Sequence, residues 1–363
     1  MDIFPYQVHI RLTQAPVDWC ILQKTMQYVD LGVSGLQSSA LGFGCSAMMG
    51  RVGRKPSLRA LHAAYDAGIT FFDTARCYGY GESEAILGAF LEGRRGQVIL
   101  STKFGIVPVP QGRWKRALKP MVRAALATVP TARRLIRNQV KAQFQENRFS
   151  RDVLRRSLEE SLRKLRTEYV DLLFLHSPPA SVLSQDDLLE NLERLIESGK
   201  VRMAGISADP EVIIAALGAR LPALTAMQFP VNLFDLSLMR HITSAQRREL
   251  MFVANHPFGG KDRVASSRRR LMELVASPKT SPQLRHKLTT GDDDLLPEII
   301  LNLVLTGTGI QVVVASMMNL SHLRANVEAV SHCRFTGHEL AWIRSNLSED
   351  LAEADVTVGK TPA

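Results

Sequence analysis

The amino-acid sequence predicts an α/β protein that folds as a (β/α)8 barrel, the TIM-barrel architecture. Eight apolar segments of strand length alternate along the chain with helix-length segments that carry one apolar face. Repeated βα units of this kind form parallel sheets, and eight of them within roughly 300 residues fit a closed barrel better than an open sheet. No Gly-x-Gly-x-x-Gly motif follows a strand, which argues against a Rossmann domain.

The eight predicted strands share a short length and either alternating or continuous apolar residues. They are Leu41–Ser46, Thr70–Thr74, Gln97–Phe104, Tyr169–His176, Arg202–Ser207, Leu224–Phe229, Leu250–Asn255 and Val312–Ser316. Segments of this character are typical of strands that are covered on both faces, as in a parallel sheet.

The helix after each strand is predicted from apolar residues that recur at a spacing near 3.6. The predicted helical segments are Pro56–Ala67, Gly81–Leu91, Arg151–Leu165, Asp186–Ser198, Pro210–Gly218, Ser244–Arg248, Leu295–Thr306 and Ser321–Val330. The pattern is clearest in Arg151–Leu165, where Leu154, Leu158 and Leu162 fall on one face.

Two further elements are predicted outside the eight units, an N-terminal β-hairpin cap and a C-terminal helix. The hairpin is expected over the floor of the barrel at Gln27–Leu36, with Gly32 and Gly35 near its turn. The helix is expected at His338–Leu347.

Residues 26–350 are predicted to form a single barrel domain, followed by a tail at 351–363. Residues 1–25 fit no element, and they are either a disordered N-terminal extension or a segment ahead of a start at Met26. Residues 106–150 form an insertion after the third strand, on the face of the barrel where the strands end.

The insertion at 106–150 is strongly basic. It carries ten Lys and Arg residues against one acid, a net charge of +9, whereas the whole chain carries +10. Apolar residues such as Trp114, Leu118 and Met121 recur among the charges at helical spacing. The segment is therefore either a solvated helix that packs one stripe onto the barrel or a lid that attracts anionic or phosphorylated substrates. Nucleic-acid binding is disfavoured because no aromatic platform accompanies the charges.

Composition narrows the class of protein further. Hydrophobic residues make up 45% of the chain and charged residues 22%, which is ordinary for a globular protein. No apolar run reaches the length of a membrane span, and the N-terminus lacks the pattern of a secretory signal. The four cysteines are too widely spaced to suggest a disulfide framework or a zinc site; they are Cys20, Cys45, Cys77 and Cys333. We therefore expect a cytoplasmic protein without membrane association.

Ionisable residues interrupt the apolar pattern where three neighbouring strands end. Asp73 ends the second strand, Lys103 the third and His176 the fourth, while Tyr78 follows Asp73 by five residues. Each residue alone has an ordinary explanation, such as a helix N-cap for Asp73 or a structural role for His176. Because the ends of adjacent barrel strands converge on one mouth, we expect these four side chains to meet there.

These four side chains suit proton transfer by a phenol. Tyrosine has an ordinary pKa near ~10, and a nearby ammonium is expected to lower it. The carboxylate of Asp73 would hold the Lys103 ammonium in place, and a neutral His176 nitrogen could donate to a carbonyl oxygen. The arrangement fits addition of hydride to a carbonyl carbon while a proton reaches the oxygen. No side chain supplies hydride, so a cofactor is required.

The sequence resembles the aldo-keto reductase family from about Met26 to Val330. The matching pieces are Leu31-Gly32 with Gly42-Phe43-Gly44, Phe72-Asp73-Thr74-Ala75, Tyr78-Gly79 with Glu82, Thr102-Lys103-Phe104-Gly105, Tyr169-Val170-Asp171-Leu172, His176-Ser177-Pro178, Gly205-Ile206-Ser207, Gln228, Asn232, Pro257 with Gly259, and Leu323-Arg324 with Asn326. The resemblance implies a catalytic tetrad of Asp73, Tyr78, Lys103 and His176, with Tyr78 as the general acid/base.

The resemblance also implies a site for NAD(P). In the family a Ser-Asn pair and a Gln hold the nicotinamide carboxamide; Ser207 and Gln228 match, whereas Ala208 stands in place of the Asn. In the family the loop that corresponds to Pro257 and Gly259 folds over the cofactor, and the backbone amides of a glycine turn can cradle a pyrophosphate.

The resemblance further implies that the segment after the eighth strand binds the adenosine phosphate of the cofactor. The residues in question are Ser316, Met317, His322, Arg324 and Asn326. A clamp on a 2′-phosphate needs a guanidinium or an ammonium, and only Arg324 offers one here. NADP(H) is therefore preferred over NAD(H).

Three functions remain open on this scaffold. The protein is an aldehyde or ketone reductase, an enzyme that oxidises a sugar in the manner of an aldose 1-dehydrogenase, or a non-catalytic regulatory protein that binds the cofactor. Fold alone does not separate them, but the complete tetrad favours catalysis. The expected substrate is a small carbonyl compound or sugar, including anionic ones. A metal-dependent hydrolase is disfavoured, and no metal is expected, because the strand ends lack clustered His and Asp ligands.

Overall fold

The computed structural model describes residues 26–49, 52–108, 144–145, 148–233, 236–290 and 295–348. The predicted extension at 1–25, the predicted tail at 351–363 and most of the basic insertion lie outside the described residues.

The described strands form one closed barrel and two short antiparallel pairs. The strands are β1 (Tyr28–Asp30), β2 (Gln37–Ser39), β3 (Leu41–Gly44), β4 (Phe71–Asp73), β5 (Ile99–Phe104), β6 (Val107–Pro108), β7 (Phe144–Gln145), β8 (Val170–His176), β9 (Val201–Ser207), β10 (Ala226–Pro230), β11 (Met251–Asn255) and β12 (Val312–Ala315). The barrel strands β3, β4, β5, β8, β9, β10, β11 and β12 follow one another around the barrel in chain order, all parallel, and β12 closes onto β3. The predicted eight-stranded barrel is confirmed.

Helices follow the barrel strands in the order that the sequence predicts. Those of the described residues are α1 (Arg54–Asp66), α2 (Ser83–Leu91), α3 (Arg151–Leu165), α4 (Asp186–Glu197), α5 (Pro210–Ala219), α6 (Ser244–Glu249), α7 (Lys261–Ala276), α8 (Pro282–Thr289), α9 (Leu296–Leu305), α10 (Leu320–Ser331) and α11 (Gly337–Ser348). None of them is both long and apolar enough to cross a bilayer.

The sequence analysis missed two helices, α7 and α8, which lie between β11 and α9. Of the sixteen residues of α7, only Ser267 and Leu274 are buried. A helix that buries so few apolar side chains has only a weak apolar pattern with a period of 3.6 residues. For this reason α7 was not predicted from the sequence. Together α7, α8, α9 and α11 enclose a separate apolar cluster that includes Leu274, Leu284 and Ile343.

The N-terminal hairpin fills the floor of the barrel, as predicted, although its second strand, Gln37–Ser39, lies just beyond the predicted end at Leu36. In the turn, Leu31 is fully buried among residues that line the barrel interior, such as Phe71 and Met251. Gly32 has a φ of 56°, and a Cβ there would lie 3.2 Å from the Glu249 carbonyl oxygen and the Met251 nitrogen. Glycine therefore lets the hairpin dock directly on backbone.

A buried carboxylate ties three strands together near the same floor. Asp171 of β8 is fully buried; it accepts the Leu100 amide at 2.9 Å and pairs with Arg95 at 2.8 Å and Arg202 at 3.0 Å. The two guanidinium groups lie 3.9 Å and 4.6 Å from the centre of the Tyr169 ring. The segment Tyr169-Val170-Asp171, one of the pieces that resemble the family, therefore has a structural role, because it lies at the opposite end of β8 from His176.

Candidate active site

Asp73 and Lys103 form a buried ion pair at the ends of the adjacent strands β4 and β5. The Lys103 Nζ lies 2.5 Å and 2.6 Å from the two Asp73 carboxylate oxygens and donates to the Thr74 carbonyl at 3.1 Å. Lys103 is 2% exposed and Asp73 is 4% exposed. Ser101 donates a further hydrogen bond to Asp73 Oδ1 at 2.6 Å. The ammonium is therefore fixed in place by three oxygens, in a site almost closed to water.

Tyr78 reaches this ion pair from the loop after β4. Gly79, Tyr80 and Gly81 have φ values of 59°, 58° and 84°, a left-handed run that turns the chain into α2. A Cβ at Gly79 would lie 2.9 Å from the Met48 carbonyl oxygen, so only glycine fits there. Tyr80 holds a conformation that is costly for a non-glycine residue, and such strain tends to occur at functional sites.

The four side chains predicted from the sequence lie together at the carboxyl end of the barrel. Lys103 Nζ lies 5.1 Å from the centre of the Tyr78 ring. The rings of Tyr78 and His176 meet edge to face, with centroids 5.8 Å apart and planes at 88°. A phenol, an ammonium, a carboxylate and an imidazole from β4, its following loop, β5 and β8 therefore surround one space.

The imidazole of His176 is neutral at physiological pH. Burial disfavours its charged form, the nearby Lys103 ammonium repels a second cation, and together they lower the His176 pKa from 6.5 to about 3. A neutral imidazole has one N–H donor and one acceptor nitrogen. His176 can therefore donate a hydrogen bond to a carbonyl oxygen without carrying charge.

The Tyr78 pKa is raised, and the expectation that it would be lowered by the Lys103 ammonium is therefore wrong. Burial, and then the negative charge of Asp73, raise the Tyr78 pKa well above 10. Burial is the larger cause, because it disfavours the charged phenolate, and the Asp73 carboxylate, less than 3 Å from the Lys103 ammonium, offsets part of the attraction that this ammonium exerts. Tyr78 is consequently a protonated phenol at neutral pH.

The depressed pKa of His176 predicts a loss of stability in acid. Between about pH 6.5 and pH 3 the unfolded chain binds a proton at this histidine and the folded chain does not, so folding weakens as the pH falls. We expect His176→Gln to remove this contribution, which amounts to about 2 kcal/mol at pH 5 relative to pH 7. Urea unfolding of both proteins at a series of pH values measures the difference, and parallel stability curves would contradict the prediction.

A second polar pair, Ser207 and Gln228, lies beside the tetrad. His176, Ser207 and Gln228 occupy matching positions on the neighbouring strands β8, β9 and β10. The Ser207 hydroxyl donates to Gln228 Oε1 at 2.7 Å, and Gln228 Nε2 donates to Asp73 Oδ1 at 3.2 Å. Both are buried. A buried hydroxyl and amide match the hydrogen-bonding groups of a carboxamide, so these residues fit the nicotinamide end of the cofactor.

The loop after β11 suits a phosphate. Pro257 is buried, whereas Gly259 and Gly260 are exposed and have φ values of 63° and 93°. Gly260 is the N-cap of α7, a helix of sixteen residues, and no atom lies within 4 Å of where its Cβ would be. Free space over the N-terminus of a helix allows close approach of an anion to backbone amides. The loop therefore fits a pyrophosphate.

The residues predicted to bind the adenosine phosphate differ in exposure. Ser316, directly after β12, and His322 and Arg324 on α10 are exposed, while Asn326 is buried. Met317 is fully buried in the main apolar core. Its side chain faces no ligand space, and only its backbone can contribute to a site.

Two residues near the tetrad were missed by the sequence analysis. Ser101 could have been found by period, because residues two apart on a strand share a face, and Ser101 precedes Lys103 by two. Cys77, whose Sγ lies 3.8 Å from His176 Nδ1, had no such signal, since its partner is 99 residues away. Within the described part of the chain, no group of three His, Cys, Asp or Glu side chains could hold a metal.

Comparisons with known proteins identify the family to which the chain belongs. Residues 40–347 match the model of the family described as "Aldo/keto reductase family". The chain is 31% identical over 216 residues to the aldo-keto reductase YhdN of Bacillus subtilis (strain 168), covering 58% of this chain and 55% of that protein. It is 28% identical over 190 residues to an NADP(+) aryl-alcohol dehydrogenase of Phanerodontia chrysosporium, covering 51% and 43%. The chain thus spans about half the length of these two relatives.

A solved structure supports the fold independently. The holo form of the aldo-keto reductase AKR11C1 from Bacillus halodurans superposes with a TM-score of 0.65 at 24% identity, covering 89% of this chain and 97% of that one. The family match extends over most of the sequence and includes every barrel strand and the tetrad. The chain therefore belongs to the aldo/keto reductase family.

Proposed function

We propose that this protein reduces an aldehyde or ketone with hydride from a nicotinamide cofactor, and that Tyr78 is the proton donor. The observation that carries the proposal is the meeting of Tyr78, Lys103, Asp73 and His176 in one space, beside the buried Ser207–Gln228 pair. Such a set can hold a carbonyl oxygen and protonate it.

Each side chain has a distinct task in this reaction. The bound cofactor would supply the hydride, and Ser207 and Gln228 would hold its carboxamide. The neutral His176 imidazole donates a hydrogen bond that fixes the carbonyl oxygen. As the carbonyl carbon gains hydride and its π bond to oxygen breaks, that oxygen takes the proton of the Tyr78 hydroxyl. Lys103, held by Asp73, stabilises the phenolate until solvent protonates it again.

The protonation state of Tyr78 supports carbonyl reduction over alcohol oxidation. Reduction needs a phenol that still carries its proton, whereas oxidation needs a phenolate to accept one. Because the Tyr78 pKa is raised well above 10, the acid form dominates at neutral pH.

The test is turnover by the purified full chain with NADPH and a carbonyl panel. The panel holds aromatic and aliphatic aldehydes, ketones, aldoses and anionic carbonyl compounds, and the loss of nicotinamide absorbance measures the rate. We expect substrate-dependent oxidation of NADPH. Measuring the anionic members at low and high salt tests the proposed attraction of anions by the basic insertion. Tight cofactor binding without turnover of any substrate would contradict the proposal and favour a regulatory protein.

We further propose NADP(H) as the preferred cofactor. Arg324 presents an exposed guanidinium in the second turn of α10, close to the end of β12, and the Phanerodontia relative is named for NADP(+). Arg324→Gln is expected to raise KM for NADPH about tenfold, because a guanidinium–phosphate contact is lost, and to leave KM for NADH unchanged. Arg155→Gln, at an exposed position on α3, is the control. Equal effects of Arg324→Gln on both cofactors would contradict the assignment.

A further inference from the structure

Cys77 lies directly before Tyr78 in the sequence and contacts the imidazole ring of His176, another member of the tetrad. Its side chain is partly buried, and its Sγ lies 3.8 Å from Nδ1 of His176. Hydrogen bonds to sulfur are longer than those to oxygen, and a thiol can act as a weak donor or a weak acceptor. The contact joins the loop after β4 to the end of β8.

The direction of this hydrogen bond decides what His176 can offer to a substrate. A neutral imidazole carries one ring proton, on Nδ1 or on Nε2, and a partner at one nitrogen selects the tautomer. If the thiol donates, Nδ1 holds the lone pair and Nε2 carries the proton. If the thiol accepts, the proton is on Nδ1, and the lone pair of Nε2 would repel a carbonyl oxygen.

We propose that Cys77 is a positioning residue whose thiol donates to His176 Nδ1 and so keeps the ring proton on Nε2, where it can bind the substrate carbonyl. The inference rests on the proposed reductase activity, since only an oxygen acceptor makes the choice of tautomer matter. It gives the residue before Tyr78 a task in the reaction without any contact with substrate.

Two substitutions separate a hydrogen-bonding role from simple packing. Cys77→Ala removes the donor, and we expect kcat for carbonyl reduction to fall about three- to tenfold, as for the loss of one modest hydrogen bond, with KM for NADPH unchanged. Cys77→Ser keeps an O–H donor and is expected to stay within about twofold of the parent protein. If the serine variant is as slow as the alanine variant, or the alanine variant is as fast as the parent, the donor role is wrong.

The tautomer itself can be read without turnover. In protein labelled with ¹⁵N-histidine, the His176 ring signals, identified by their loss in His176→Gln, are expected to show a protonated Nε2 and a bare Nδ1. In Cys77→Ala we expect signals of mixed tautomers. A protonated Nδ1 in the parent protein would overturn the proposal. An inactive parent protein with the expected tautomer would instead refute the reductase function and leave the Cys77 hydrogen bond in place.

Discussion

Tyr78→Phe is expected to lower kcat by about 10²- to 10⁴-fold, the range that positioned proton transfer contributes to catalysis. The substitution removes one oxygen from a ring that otherwise keeps its packing against His176. Binding of NADPH should stay nearly unchanged, because Ser207, Gln228 and the loop after β11 are untouched. Steady-state kinetics and a fluorescence titration of the cofactor measure the two quantities.

The matched control for this variant is Tyr28→Phe. The Tyr28 hydroxyl donates to the Gly68 carbonyl at 3.0 Å, in the hairpin on the opposite face of the barrel. We expect this second phenol to be dispensable for turnover. Full activity of Tyr78→Phe would mean that another group supplies the proton.

Lys103→Met is expected to cost both activity and stability. It leaves the Asp73 carboxylate buried without its cation, and loss of one partner of a buried pair destabilises a protein by about 3–5 kcal/mol. Because Asp73 still accepts hydrogen bonds from Ser101 and Gln228, we expect the loss of stability to lie toward the lower end of that range. We expect kcat to fall at least about a hundredfold, because no ammonium stabilises the phenolate.

The double variant Asp73→Asn/Lys103→Met separates the two effects. Without either charge, the free energy of unfolding should recover most of the loss, whereas kcat should stay as low as in Lys103→Met. Urea unfolding measures the first and the NADPH assay the second. Lys200→Met serves as the control, because Lys200 pairs with Glu159 at the surface and such pairs contribute at most about 1 kcal/mol. A double variant no more stable than Lys103→Met would contradict the prediction, because the loss of stability would then not come from the unpaired Asp73 carboxylate.

The sequence predicts the barrel, and the place where the side chains of Asp73, Tyr78, Lys103 and His176 lie close together, because both depend on local patterns. An ionisable residue at the end of an apolar strand, such as Lys103 after Ile99–Thr102, can lie only at the rim of the barrel. The order of the strands then places Asp73 and Lys103 side by side. Helix α3 was predicted with the bounds that the structure shows, since six of its residues are buried on one face.

Other features depend on distances that no local pattern contains. The raised pKa of Tyr78 follows from burial and from the closeness of Asp73 to Lys103, which a residue list cannot give. The contact between Cys77 and His176 joins residues that lie 99 positions apart in the sequence, and no local pattern links them. Helix α7 escaped prediction because its buried face is nearly absent, and its Gly260 N-cap was taken as part of a loop.

The docking of the N-terminal hairpin on the floor of the barrel also constrains the order of folding events during synthesis of the chain. The turn of the hairpin, with Leu31 and Gly32, docks on the backbone of Glu249 and Met251. That backbone is synthesised more than two hundred residues later than the turn. The hairpin therefore cannot dock until that later segment has been synthesised, and until then the apolar Leu31 side chain has no site in which it can be buried. Docking of the hairpin is therefore a late, long-range event, because it joins segments of the chain that lie more than two hundred residues apart.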